Sequence, residues 1–149
     1  MKGFPDLPPL WLAGFCLLAW FLARELPIAG FAAPELRALG SALSVAGLVL
    51  IAWSAVTFVQ AKTTIEPHET PQNLITSGPF RFSRNPIYLA MVVILAGWVL
   101  WLGGLSGVIL PGIFASVLSL RFIVPEEARL EDVFGEAART YFARTRRWL

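Results

Sequence analysis

Three stretches without one charged side chain dominate the hydropathy pattern of this chain: residues 7–23, 38–61 and 85–120. Runs of this length read as helices that cross a bilayer. The third holds 36 residues, and as one straight helix it would measure about 54 Å against a hydrocarbon core of about 30 Å. It must therefore turn back, and Gly103-Gly104 near its middle supplies the turn. The pattern predicts four spans, at about 8–24, 38–61, 86–102 and 105–124. Together they make an all-α integral membrane bundle, a single membrane domain over residues 1–149. Lys2 ahead of the first stretch resembles the start of a signal peptide. Arg24-Glu25-Leu26-Pro27 follows it in place of a small-residue cleavage site, so the first helix is predicted to be retained.

Composition sharpens this picture. Hydrophobic residues make up 56% of the chain and charged residues 15%, against about 25% charged in an ordinary soluble domain. Much of the surface is therefore expected to face lipid. The net charge of +2 is no nucleic-acid signal, because the basic residues form no stripe on a soluble fold. Their placement sets orientation instead. Lys2, Lys62, Arg81, Arg84, Arg121, Arg129, Arg139, Arg144, Arg146 and Arg147 fall on one side of a four-span chain, and only Arg24 and Arg37 on the other. Both termini are predicted to be cytoplasmic, in a multi-pass protein of a bacterial or archaeal cytoplasmic membrane. One cysteine, Cys16, excludes a disulfide framework, and one histidine, His68, cannot build a metal site. No metal and no nucleic acid is expected.

Polar chemistry gathers on the cytoplasmic side in two segments, 62–88 and 121–149. In the first, Ser77-Gly78-Pro79 is a turn, and Asn85-Pro86 opens a helix with Asn85 as N-cap and Pro86 at the first helical position. Unpaired N–H groups at such an opening favour an anionic group, and Arg81 and Arg84 flank it. In the second, Pro125 ends the fourth span and begins an amphipathic helix with an apolar stripe of Leu130, Phe134, Ala137, Ala138 and Tyr141. Gly135 in mid-helix costs about 1 kcal/mol against alanine. The plain role for most of this helix is to lie on the membrane surface. Glu126 and Glu127 sit where the chain leaves the bilayer, and carboxylates at that depth need partners: Arg84, Arg121 or a cationic ligand. The transmembrane hairpin brings both segments to one membrane face.

Together the two segments resemble the isoprenylcysteine carboxyl methyltransferase and phospholipid methyltransferase superfamily. Its pattern is a Gly-x-Tyr turn, Arg-His-Pro-x-Tyr opening a helix, a hairpin, then Glu-Glu-x-x-Leu followed by Phe-Gly and Tyr. This chain reads Gly78-Pro79-Phe80, then Arg84-Asn85-Pro86-Ile87-Tyr88, then Glu126-Glu127-Ala128-Arg129-Leu130 with Phe134-Gly135 and Tyr141. Asn85 stands where the family has histidine, and Phe80 where it has tyrosine. The resemblance covers residues 55–149. It implies S-adenosylmethionine as cofactor, contacted by Gln72, Asn73, Leu74 and Ile75 and lined by Phe80. It implies that Arg84, Asn85, Pro86, Ile87 and Tyr88 lie at the cofactor's amino-acid end, that Glu126 completes the cradle, and that Glu127 and Arg121 lie nearest the substrate.

The function expected on this basis is methyl transfer to a lipid or isoprenoid-like acceptor that arrives laterally from the bilayer. The cofactor carries the reactivity and the protein supplies position and electrostatics. A carboxylate acceptor needs no base; an amine, hydroxyl or thiol would call on Glu127. Two other readings stay open: an NADPH-dependent membrane reductase of the sterol-reductase type, and a small non-enzymatic membrane helper. The acceptor and the oligomeric state are not legible, and the sequence leaves room for an oligomer.

Overall fold

The computed structural model describes residues 6–26, 28–31, 33–61 and 73–149. Lys2, Lys62, His68 and Gln72, with the rest of the 62–72 loop, lie outside the described residues. Those described form helices, turns and one isolated bridge. Helix α1 runs Pro8–Glu25 and α2 Pro34–Ala61. A 3₁₀ turn at Gly78–Arg81 leads to α3, Pro86–Leu102. Another short turn, Leu105–Gly107, precedes α4, Leu110–Leu118. A π-helical segment, Ser119–Ile123, joins α4 to α5, Val124–Phe134, and α6 spans Glu136–Arg144.

The hairpin forms where the glycine pair predicts it. Gly103 caps α3 in the left-handed region, at φ 72°, a conformation glycine adopts without steric cost. The turn is stitched to the α1–α2 connection: Phe31 N–H donates to the Gly103 carbonyl at 2.8 Å and Leu105 N–H to that of Ala29 at 3.0 Å. At this end Ser106 Oγ donates to the Leu26 carbonyl at 2.6 Å.

Two kinds of helix contact build the bundle. Between α3 and α4 it is apolar interdigitation. Tyr88, Met91, Leu95 and Val99 recur on one face of α3, and Leu110, Phe114, Leu118 and Phe122 recur every fourth residue opposite. Between α2 and α3 the backbones touch. A Cβ on Gly40 would stand 2.5 Å from the Gly97 carbonyl oxygen, and one on Gly97 2.5 Å from that of Gly40. Small residues at such contacts are how helices pack where lipid supplies no hydrophobic drive. Outward faces are apolar, with Leu17, Phe21, Leu48, Val49, Val59 and Ile113 all exposed, more than a water-soluble monomer presents. Two helical stretches are long and apolar enough to cross a membrane, Pro34–Ala61 and Leu105–Phe134.

Two expectations fail at the C-terminal end. Pro125 does not end the fourth helix. Proline removes an N–H and crowds the carbonyl four residues back; the helix absorbs both by widening, with Val124 N–H reaching the Ser119 carbonyl five residues away. The rod then continues to Phe134. Nor is Gly135 a mid-helix residue. At φ 52° and ψ −120° it breaks the amphipathic segment into α5 and α6, in backbone space that favours glycine.

Candidate functional site

The opening of α3 stands as predicted, with Asn85 at the N-cap and Pro86 at the first helical position. The Asn85 side chain does not cap the helix. Its Nδ2 donates to the Arg147 carbonyl at 3.1 Å, and its own N–H is taken by Ser83 Oγ at 3.1 Å. Ser83 Oγ donates in turn to the Arg147 carbonyl at 3.2 Å, and Arg84 N–H to that of Arg146 at 2.9 Å. The segment after α6 is thus clamped across the helix opening. Tyr141 on α6 fastens the same corner, donating to the Phe80 carbonyl at 2.7 Å. Burial raises its phenol well above the ordinary range, Arg84 opposing weakly, so it remains a donor.

Across from Asn85, the start of α5 presents Glu126. The Tyr88 hydroxyl donates to its Oε2 at 3.0 Å, which joins the two polar segments of the sequence directly. Desolvation pushes the Glu126 carboxyl up from the ordinary glutamate range. The Tyr88 hydrogen bond and the Arg129 charge pull the other way, and Glu127 adds to the rise. A cation beside this carboxylate would recover much of that cost.

Between these groups lies a cavity of about 260 Å³. Phe80, Arg84, Asn85, Pro86, Ile87, Tyr88 and Glu126 line it, seven of the expected cofactor residues. Sequence reasoning missed the rest of the wall: Leu7, Pro8 and Pro9 at the start of α1, Phe58 on α2 and Met91 on α3. Arg84 Nε is buried and has no hydrogen-bond partner among the described residues.

Other expected residues lie elsewhere. Asn73 Nδ2 donates to the Ala61 carbonyl at 2.9 Å and so closes the C-terminus of α2. Leu74 is half-buried and Ile75 buried, neither on the cavity wall. Glu127, the expected base, is held by two guanidinium groups: Arg84 Nη1 at 3.2 Å, and Arg147 through both Nε and Nη2. The Glu127 bond raises the Arg147 pKa, burial opposing it. The Arg84 and Glu127 side chains are only 16% and 13% exposed, and Arg84 also stacks on the Phe142 ring, 4.7 Å from its centroid. Glu127 therefore ties α5, the α3 opening and the C-terminal segment together. Arg121 is on neither wall nor clamp. It pairs with Asp6, Nε to Oδ2 at 2.8 Å, on the other side of α1.

A family model described as phospholipid methyltransferase matches residues 36–137, from early α2 through the break after α5. The chain belongs to the phospholipid methyltransferase family. The matched region contains every cavity-lining residue except those of α1. An uncharacterized protein of Haemophilus influenzae is 40% identical over 63 residues, covering 42% of this chain and all of that protein. No solved structure matches. Family membership makes the chain a membrane methyltransferase in kind, and the apolar outward faces agree with it.

Proposed function

We propose that the chain transfers a methyl group from S-adenosylmethionine to a lipophilic acceptor at the cytoplasmic face of the membrane. The observation that carries this reading is the Tyr88–Glu126 hydrogen bond closing a cavity lined by the family's motif residues. The donor set suits the cofactor. Glu126 supplies a costly, partly buried carboxylate for an ammonium group. Arg84 brings a cationic side chain to the same wall for a carboxylate, and Phe58, Phe80 and Met91 supply apolar wall for a nucleoside. When bound, S-adenosylmethionine supplies an electrophilic methyl group on a sulfonium. The chain's own work is to hold it, exclude water and align the acceptor, which is worth several kcal/mol of barrier. Glu127 has both oxygens engaged, so the site suits an acceptor that arrives with a free lone pair, such as a carboxylate or a neutral amine.

In this reading α1, α2, α3 and the stretch 105–124 are the four spans, with both termini cytoplasmic. Glu126 stands just beyond the apolar part of the last span. The acceptor enters from the bilayer, and its identity is the open half of the proposal.

Titration of the purified chain with S-adenosylhomocysteine, followed by tryptophan fluorescence, tests the cofactor assignment, with NADPH as the control. Saturable binding of the first, abolished in Glu126→Ala with the fold intact, is the expected result. Binding of NADPH alone, or affinity unchanged in Glu126→Ala, rejects it. Membranes incubated with methyl-labelled cofactor then show which fraction takes the label.

A further inference from the structure

A second cavity, of about 420 Å³, opens on the opposite face of the first turns of α1. Leu7, Pro8 and Pro9 face the cofactor cavity, whereas Asp6, Leu10 and Gly14 face this groove. Its floor is a row one helical turn apart: Leu10, Gly14 and Leu18. From Leu10 to Leu18 that row runs about 12 Å along α1. Trp11 and Phe15 supply aromatic wall.

Its mouth carries a guanidinium with donors to spare. Arg121 uses Nε on both Asp6 oxygens, at 3.0 and 2.8 Å. Its guanidinium carbon lies 5.4 Å from the Trp11 ring centroid, and Trp11 Nε1 donates to Asp6 at 2.9 Å. Both Arg121 Nη groups, four N–H donors, have no acceptor among the described residues, and the side chain is 54% exposed. At the end of the last span, such a fork matches a phosphate. Below it runs an apolar trough open to the hydrocarbon.

The geometry points to a phospholipid-binding site: a bilayer phospholipid places its phosphate on the Arg121 fork and one acyl chain along Leu10, Gly14 and Leu18. The first turn of α1 stands between this lipid and the cofactor cavity, so the lipid is a resident ligand and not the methyl acceptor. By bridging α1 to the last span it steadies the α1 wall of the cofactor cavity.

Gly14 gives a clean probe, because a Cβ built there meets nothing within 4 Å. Gly14→Leu fills the trough without touching the fold, and leucine is the better helix former. The full chain in detergent is mixed with 1-palmitoyl-2-oleoyl phosphatidylglycerol, which has no amine to methylate, and retained lipid is counted by native mass spectrometry. The expected result is one lipid per chain, held at least tenfold more weakly by Gly14→Leu and by Arg121→Gln. Diacylglycerol, without phosphate, and glycerol 3-phosphate, without acyl chains, are expected to bind at least tenfold more weakly than the phospholipid. Equal retention by wild type and Gly14→Leu overturns the site, as does binding of either fragment at full strength. S-Adenosylhomocysteine affinity is measured on the same samples. Its absence in the wild type defeats the methyltransferase reading and leaves the lipid result standing.

Discussion

Glu126 is the residue on which chemistry and stability pull apart. Burial raises its carboxyl pKa, so the folded chain binds more protons than the unfolded chain between the ordinary glutamate value, about 4.3, and the raised one. Stability contributed by this group therefore falls as pH rises through that window, and above it the buried charge carries its full cost. Glu126→Gln removes the charge and keeps an oxygen for the Tyr88 hydroxyl. The variant is expected to melt at or above the wild-type temperature near about pH 8, with the gap closing as pH falls towards about 4. A ligand ammonium needs the ionised form. Wild-type affinity for S-adenosylhomocysteine should thus weaken as pH drops through the raised value, and the Gln variant should bind at least tenfold more weakly than wild type at alkaline pH, with the gap closing as pH falls. Thermal melts and titrations over a pH series read both effects. A Gln variant clearly less stable than wild type at the alkaline end would show that the carboxylate is structural. At this scale the sequence was partly legible. Glu126, Asn85 and Tyr88 are picked out by a motif whose spacing is local. Arg84, a partner the sequence offered, does pair with Glu127, but the further partners of Glu127 and Arg121, namely Arg147 and Asp6, lie 20 and 115 residues away, and no local pattern ranks such pairings. The clamp over Asn85 is made by the Arg146 and Arg147 carbonyls, groups every residue possesses and no sequence marks.

Among the elements, α2 and α3 depend on their glycines. At Gly97 an added Cβ meets the Gly40 carbonyl and the Ser44 backbone, at 2.5 and 2.9 Å. Neither is the free end of a side chain, so the helices must part. Gly97→Ala is expected to cost about 1–3 kcal/mol, the range for overpacking a filled contact. Gly112→Ala on α4 is the matched control: nothing lies within 4 Å of its Cβ, and removing a helical glycine should gain about 0.5–1 kcal/mol. Melting temperatures of both variants in one detergent check the contrast. A Gly97 variant as stable as the Gly112 variant would mean that α2 and α3 sit further apart. Element boundaries were legible where the signal was punctual. Proline at the first position and the glycine pair fixed α3 at 86–102, and the structure has Pro86–Leu102. They failed where a rule met a compensation. Pro125 reads as a stop, yet one π-helical turn carries the helix past it. Gly135 reads as a tolerated flaw, yet its positive φ makes it the joint between α5 and α6.

For the whole molecule, the two ends of the bundle are chemically unlike, and that difference predicts which side each faces. One end holds the Gly30–Gly104 seam, Arg24 and Arg37. The other holds the Tyr88–Glu126 cavity, the Arg84–Glu127–Arg147 network and the remaining arginines of the described residues. Loops rich in Lys and Arg stay on the cytoplasmic side, so the cavity should open to the cytosol. Four spans follow only if α1 and α3 also cross. Both are shorter than the Pro34–Ala61 and Leu105–Phe134 stretches. Their lengths, 18 and 17 residues, still fall within the range of about 17–25 that can span. Single cysteines decide the matter in a Cys16→Ala background. Ile28, 81% exposed beside the seam, and Arg144, exposed at the end of α6, are each replaced by cysteine and treated with a membrane-impermeant maleimide. Ile28→Cys should react in intact cells stripped of outer layers, and Arg144→Cys only in inverted vesicles. Labelling of both from one side would mean an even number of crossings between them. That would leave the seam and the cavity on the same face, against a bundle whose hairpin sends α3 away from the cavity and α4 back towards it.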